Sequence, residues 1–309
     1  MVFKLRLFKN RGDIYIPQTK FKSDLEQKIL IALLAFVVFF TAVFLLIFGI
    51  KYNFSVKEFF TPDSLKSETQ EVEEVLPQVS GKTNYLFIMS NKNTDEMYMC
   101  TLFQADMDDI SYTACTLSPK TSTESGYLSD IYAKGGASAV LNSLNKLFGI
   151  EIDFYIDQSY DDFSDMYDSL GKVNYTVLND VKYKDTSRYG YNIKISAGEQ
   201  SLSGDTAQKL LRYYVLQENN YSAANDIVLA SVSQFMNEEN YEKRESLFSK
   251  FIEKSTTNIT VKDFTEKNDN MKVLSSSTTG VTVFNTEVKY DSEKVTSSSV
   301  NEILGSFSK

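Results

Sequence analysis

With 309 residues the chain can bury a sizeable core, as one large domain or two small ones. It contains no histidine, which excludes a Ser-His-Asp hydrolase and a histidine-held zinc enzyme. Its formal net charge of −9 disfavours nucleic acid as a partner.

Residues 1–28 carry seven Lys and Arg against three Asp and Glu, net +4, so the remainder carries −13 (−9 less +4). ILIALLAFVVFFTAVFLLIFGI, residues 29–50, holds no charged side chain and only Thr41 and Gly49 outside the apolar set. At 1.5 Å per residue it makes about 33 Å of helix, the thickness of a hydrocarbon core. A cleaved signal sequence is a poorer fit, because its apolar stretch is shorter and ends in small residues, whereas KYNFSVKEFF follows here. The cationic flank places residues 1–28 in the cytoplasm and everything after residue 50 outside the cell. The expected localisation is therefore the cell membrane, crossed once.

Residues 51–83 contain Pro62, Pro77, Gly81 and glutamates at 68, 71, 73 and 74, the composition of a linker. A folded domain is expected over 84–309. YLFIMS reads as a buried strand, and MYMCTLFQA with ISYTACTL reads as a hairpin turning at residues 106–109. That turn sets Cys100 opposite Cys115, which leaves either a cross-strand disulfide or two buried thiols. GGASAVLNSLNKLFG shows helical spacing through Val140, Leu144 and Phe148, stopped by Gly149, and its Gly135–Gly136 pair is too weak to be a phosphate loop. IEIDFYI alternates as a strand, YDDFSDMYDSLG returns to helical spacing with Gly171 as its stop, and VNYTV is again strand-like. Ser203 caps a helix through TAQKLLRYY whose buried stripe is Ala207, Leu210, Leu211 and Tyr214. Two more helices, ANDIVLASVSQFM and YEKRESLFSKFIEK, a strand VTVFN and a helix VNEILGSF follow. The fold class is α/β, a central mixed sheet flanked by helices.

YAKGG at 132–136, FGIEIDFYI at 148–156, Phe163 with DSLGKV at 168–173, and SLSGDTAQKLLRYY at 201–214 resemble, in order and spacing, the outer domain of the LytR-CpsA-Psr family of cell-envelope proteins. The likeness runs from about residue 84 to 254. It implies transfer of a glycopolymer from a polyprenyl-diphosphate carrier to peptidoglycan or a related acceptor, with Mg2+. Such chemistry calls for arginines and a carboxylate-held cation against the diphosphate, and for an apolar pocket for the lipid.

Several family motifs are altered. Gly-Ser-Asp after the first strand becomes Met89, Ser90, Asn91, and Arg-x-Asp-Thr becomes Asn93, Thr94, Asp95, Glu96. Pro-Arg-Asp becomes Pro119, Lys120, Thr121, a point charge in place of a bidentate fork. The paired arginines become Arg212 and Tyr214, and Asn220–Ile227 retains no cation. The resemblance therefore assigns Asp95 to the metal and Lys120 and Arg212 to the diphosphate, with Arg188 and Lys134 as cations that could compensate. Its alternative is a non-catalytic lipid- or glycan-binding scaffold. On that alternative Arg212 is a solvated helix cation beside packing tyrosines. Aspartates at 153, 157, 161, 162, 165 and 168 alternate with core positions and read as a wet face rather than a metal site. The 19 tyrosines suit either half-buried packing or glycan stacking.

Overall fold

The computed structural model describes residues 76–277 and 280–309. The tail, the membrane span and the linker up to residue 75 lie outside the described residues, among which no helix is long and apolar enough to cross a membrane.

Strand β1, Lys82–Asn91, is the middle of the fold. It pairs antiparallel with β2, Glu96–Asp106, which pairs antiparallel with β3, Ser111–Leu117. Two-residue strands β4 (Ser122–Thr123) and β5 (Gly126–Tyr127) lead into helix α1, Leu128–Phe148. Gly136 breaks α1 with φ 64° and ψ −164°, a conformation that glycine adopts freely, and Gly149 ends it in the left-handed region. Strand β6, Phe154–Ser159, then lies parallel to β1, and α2, Tyr160–Leu170, leaves its carboxyl end.

An outlying segment follows, with β7 (Val173–Val177), β8 (Val181–Lys184), β9 (Asn192–Ile195) and β10 (Gly198–Leu202), in which β7 pairs with β10 and β8 with β9. Helix α3, Gly204–Tyr213, is capped by Ser203 as its sequence predicts, and runs on into a π-helical turn, Tyr214–Glu218. After it come α4 (Tyr221–Phe235), α5 (Glu238–Glu242), α6 (Arg244–Lys254), β11 (Thr256–Thr257), α7 (Val261–Glu266) and α8 (Asn268–Ser276). The chain closes with β12 (Thr282–Asn285), β13 (Tyr290–Asp291), β14 (Lys294–Val295) and α9 (Ser297–Phe307). The six-stranded sheet has the order β11-β6-β1-β2-β3-β12 and is mixed, as expected.

The pleat divides this sheet's two faces. Leu86, Ile88, Leu102 and Leu117 share a buried cluster with Val140, Leu144 and Phe148 of α1 and Ile303 and Phe307 of α9. The opposite face presents Tyr85, Phe87 and Phe103.

Three local expectations are corrected. The β2–β3 hairpin turns at residues 107–110, so Cys100 faces Leu117 and Cys115 faces Leu102. The two cysteines are diagonal, not opposite, and both are free and buried. The strand expected from Ile150 begins at Phe154, because side chains hold the preceding turn: Asn84 Nδ2 donates to the Glu151 carbonyl at 2.8 Å, and Asn145 Oδ1 accepts from Ile152 N–H at 3.1 Å. The helix expected over 241–254 breaks at Lys243 (φ −93°, ψ 4°), which separates α5 from α6.

Candidate functional site

β1 and β6 run parallel and end side by side, Ser90 against Ser159. A crevice outside the carboxyl ends of parallel strands is the common ligand position in α/β sheets. Asn91, fully buried at the end of β1, holds the turn that follows: its Nδ2 donates to the Tyr98 hydroxyl at 2.8 Å, and its carbonyl accepts from Thr94 and Asp95 N–H. Asp95 completes that turn with φ 53°.

Above the turn lies Arg212, only 4% exposed. Its guanidinium carbon is 4.3 Å from the ring centres of Tyr98 and Tyr191 and 4.9 Å from that of Tyr160. Nη1 donates to Gln208 at 3.4 Å and Nη2 to the Tyr189 carbonyl at 3.2 Å, while Nε and the Tyr191 hydroxyl are buried without a partner. The solvated-cation reading of Arg212 is therefore corrected: the rings shield its charge on several sides. A cleft of about 370 Å³ opens beside it, between the β1–β2 turn, the β8–β9 loop and the π-helical turn. Its charged walls are Glu96 and Asp185 against Arg188 and Arg212, a balanced set. Ser187 N–H and Oγ donate to the Asp185 carboxylate, at 2.8 and 3.0 Å, and hold its pKa below the usual value.

Asp95 is exposed between Thr94 and Glu96, which line the cleft, but does not itself line it. Lys120 is exposed in the turn after β3 and lines neither this cleft nor the cavity described next. Arg188 is at the rim of the cleft and Lys134 is an exposed residue of α1 away from it. Magnesium needs one or two carboxylates, with water and substrate oxygens completing its shell, and Asp95, exposed, supplies one such group while Glu96 Oε2 accepts from the Thr94 hydroxyl. Among the described residues no three or more His, Cys, Asp or Glu gather as a metal cluster.

The six aspartates do not form one wet face. Asp153 accepts from Asn84 N–H at 2.8 Å and Asp168 from Gly204 N–H at 2.7 Å. Asp157 accepts from the Ser90 hydroxyl at 3.0 Å and the Tyr132 hydroxyl at 2.8 Å, and burial pushes its pKa above 3.8.

The second void is apolar. About 460 Å³ lies between the Tyr85/Phe87/Phe103 face of the sheet and helices α2, α4, α5, α6, α7 and α8. Phe163, Tyr167, Phe235, Phe248 and Leu274 are among its walls. Its charged lining residues are Arg244, Lys267 and Asp263, and no residue lines both voids. Sequence alone does not single out Arg244, at the start of α6, or Lys267, at the junction of α7 and α8, because both segments look like ordinary charged surface. The available signal was the run of Leu247, Phe248, Phe251 and Phe264 around them, too apolar for helices that face only water.

A mixed sheet with helices on both faces, an aromatic cavity against one face and a polar cleft beside the β1–β2 turn define this α/β protein. The LytR_cpsA_psr family model matches residues 105–304, and the chain belongs to that family. Among solved structures it is similar to a protein of Eubacterium siraeum DSM 15702, with 16% identity and TM-score 0.65 over 76% of this chain and 95% of that one. It is also similar to TagV of B. subtilis (15%, TM-score 0.59, 74% and 96%) and to TagT bound to LIIa-WTA (14%, TM-score 0.56, 76% and 92%). At these identities the likeness is one of fold. No curated protein matches the chain.

Proposed function

We propose that this protein serves cell-envelope assembly from the membrane, anchored by residues 29–50 with its folded domain outside, and holds a lipid-linked glycopolymer by its polyprenyl chain. The single observation that carries this reading is the 460 Å³ apolar cavity, whose Phe and Tyr walls suit a long apolar chain such as an isoprenoid. Family membership and the TagT structures with bound LI-WTA and LIIa-WTA support it.

In the transferring form, the polymer passes from polyprenyl diphosphate to peptidoglycan or a related acceptor. Lys120 and Arg212 would hold the diphosphate and Asp95 would hold magnesium, while an acceptor hydroxyl displaces polyprenyl phosphate from the polymer-bearing phosphorus. The metal supplies neutralisation of the charge that develops on the leaving phosphate. A second reading, a non-catalytic holder, is favoured by the charge-balanced cleft and by the three rings that close over Arg212. Complementation of a deletion strain separates them. Transfer predicts that Asp95→Ala and Arg212→Ala each fail to complement the deletion; full complementation by both, at normal protein levels, would leave the holder. If the full-length protein, extracted and delipidated, takes up no polyprenyl phosphate, both readings fail.

A further inference from the structure

The apolar cavity has cations that pair with no carboxylate among the described residues. Arg244 Nε donates to Asn268 Oδ1 at 2.7 Å and Nη1 to the Tyr241 carbonyl at 3.0 Å, with the guanidinium 4.3 Å over the Tyr241 ring. Asn268 directly follows Lys267, whose Nζ donates to the hydroxyl of Thr83, a lining residue at the start of β1, at 2.8 Å, so Asn268 links the two cations through adjacent backbone positions. Asp263, the acid lining the same void, is committed elsewhere: its carboxylate accepts from Thr260 N–H and Oγ in the capping box of α7. Arg244 retains Nη2, and Lys267 two ammonium hydrogens, beyond these bonds. Both residues are partly exposed. The Arg212 cleft differs, since its cations are matched by two carboxylates, and no residue lines both voids.

We propose that Arg244 and Lys267 form an anion seat in the lining of the apolar cavity, and that the occupant is a single-chain anionic amphiphile, chain inside and phosphate or carboxylate headgroup on these two side chains. The inference rests on the reading that the cavity holds an apolar chain, and adds which residues hold the headgroup. An isoprenoid monophosphate and a lysophospholipid share this chemistry. An amphiphile seated this way has its headgroup on residues other than those of the Arg212 cleft, an arrangement that fits the holder and not the transferring form.

The test uses the full-length chain, delipidated in nonionic detergent, and four probes: geranylgeranyl phosphate, geranylgeraniol, oleoyl lysophosphatidate and inorganic phosphate. Geranylgeranyl phosphate is expected to bind about tenfold more tightly than geranylgeraniol, a preference that weakens as salt is raised. Inorganic phosphate alone, lacking a chain, is expected not to displace it at equal concentration. In Arg244→Gln with Lys267→Gln the two isoprenoids should bind alike, with geranylgeraniol unchanged from wild type, which also shows the double variant to be folded. Arg212→Gln should keep the preference. Lysophosphatidate binding as tightly as geranylgeranyl phosphate marks a membrane lipid as the occupant, and weaker binding marks the isoprenoid carrier. Equal binding of alcohol and phosphate to wild type overturns the seat while the cavity reading stands, as does a preference lost in Arg212→Gln but kept in the double variant. Failure of both isoprenoids to bind overturns the cavity reading as well.

Discussion

Arg212 holds a positive charge where water scarcely reaches, and three tyrosine rings with two hydrogen bonds replace its hydration. Those rings come from β2, the start of α2 and the approach to β9, so no spacing near Arg212 announces them. What the sequence does show is the stripe on α3, all of it buried as expected. Removing Arg212 leaves the rings without their filler, so Arg212→Ala should destabilise by about 2 kcal/mol or more, whereas exposed Lys120→Ala should stay within about 0.5 kcal/mol. Urea unfolding of the two variants side by side is the measurement.

A carboxylate on β6 gives a pH signature. Asp157 has a folded pKa raised above 3.8, because burial outweighs the opposing bonds from Tyr132 and Ser90. Its proton therefore stabilises the folded form. That contribution is complete below 3.8 and is lost as pH rises through the folded value. Asp157→Asn, which keeps an oxygen for a hydroxyl donor, should raise the melting temperature at neutral pH, and the gap from wild type should shrink on acidification. A gap that grows instead would show the ionised form to be the favoured one.

At the scale of elements, Gly204 explains the glycine in the L-x-G segment of the family resemblance. A Cβ there would stand 2.2 Å from the Ser164 carbonyl oxygen, because the start of α3 lies directly on α2, and Gly204 N–H donates to Asp168. Gly204→Ala should cost about 1–3 kcal/mol through forced separation of the two helices, read as a lower urea midpoint. Asn225 is a second joint. Its Oδ1 accepts from Thr116 N–H at 2.6 Å while its Nδ2 donates to Asn285 Oδ1 and the Thr286 carbonyl, tying α4 to β3 and to the segment around β12. Replacing it with leucine strands a buried N–H and carbonyl, and about 2–3 kcal/mol of stability should go with them. Helices with strong stripes and clear stops were legible in advance, as were Ser203 and Gly149 at their ends. The late start of β6 and the break at Lys243 were not, since each depends on a side chain or packing surface remote in sequence.

For the whole molecule, the decisive quantity is the empty apolar volume against one sheet face. Family resemblance implied such a pocket, but its walls come from seven or more elements, and periodicity in any one of them shows only that the residue is apolar. The separation of cavity from cleft was hidden for the same reason. A ligand that binds only the folded form stabilises it by about 2.7 kcal/mol when present at a hundred times its dissociation constant. Geranylgeranyl phosphate should therefore raise the melting temperature of the delipidated protein in a concentration-dependent way, and a flat response would remove the chain-binding role.

Cys100 and Cys115 have a practical consequence. Each is wholly enclosed, and desolvation drives both thiols upward, Cys100 to about 12, so neither offers a reactive thiolate while the sheet is intact. An alkylating reagent can reach them only when β2 and β3 part. The rate of their modification, followed by mass, is then a clock for opening of the domain's centre, available in the natural protein without adding a label.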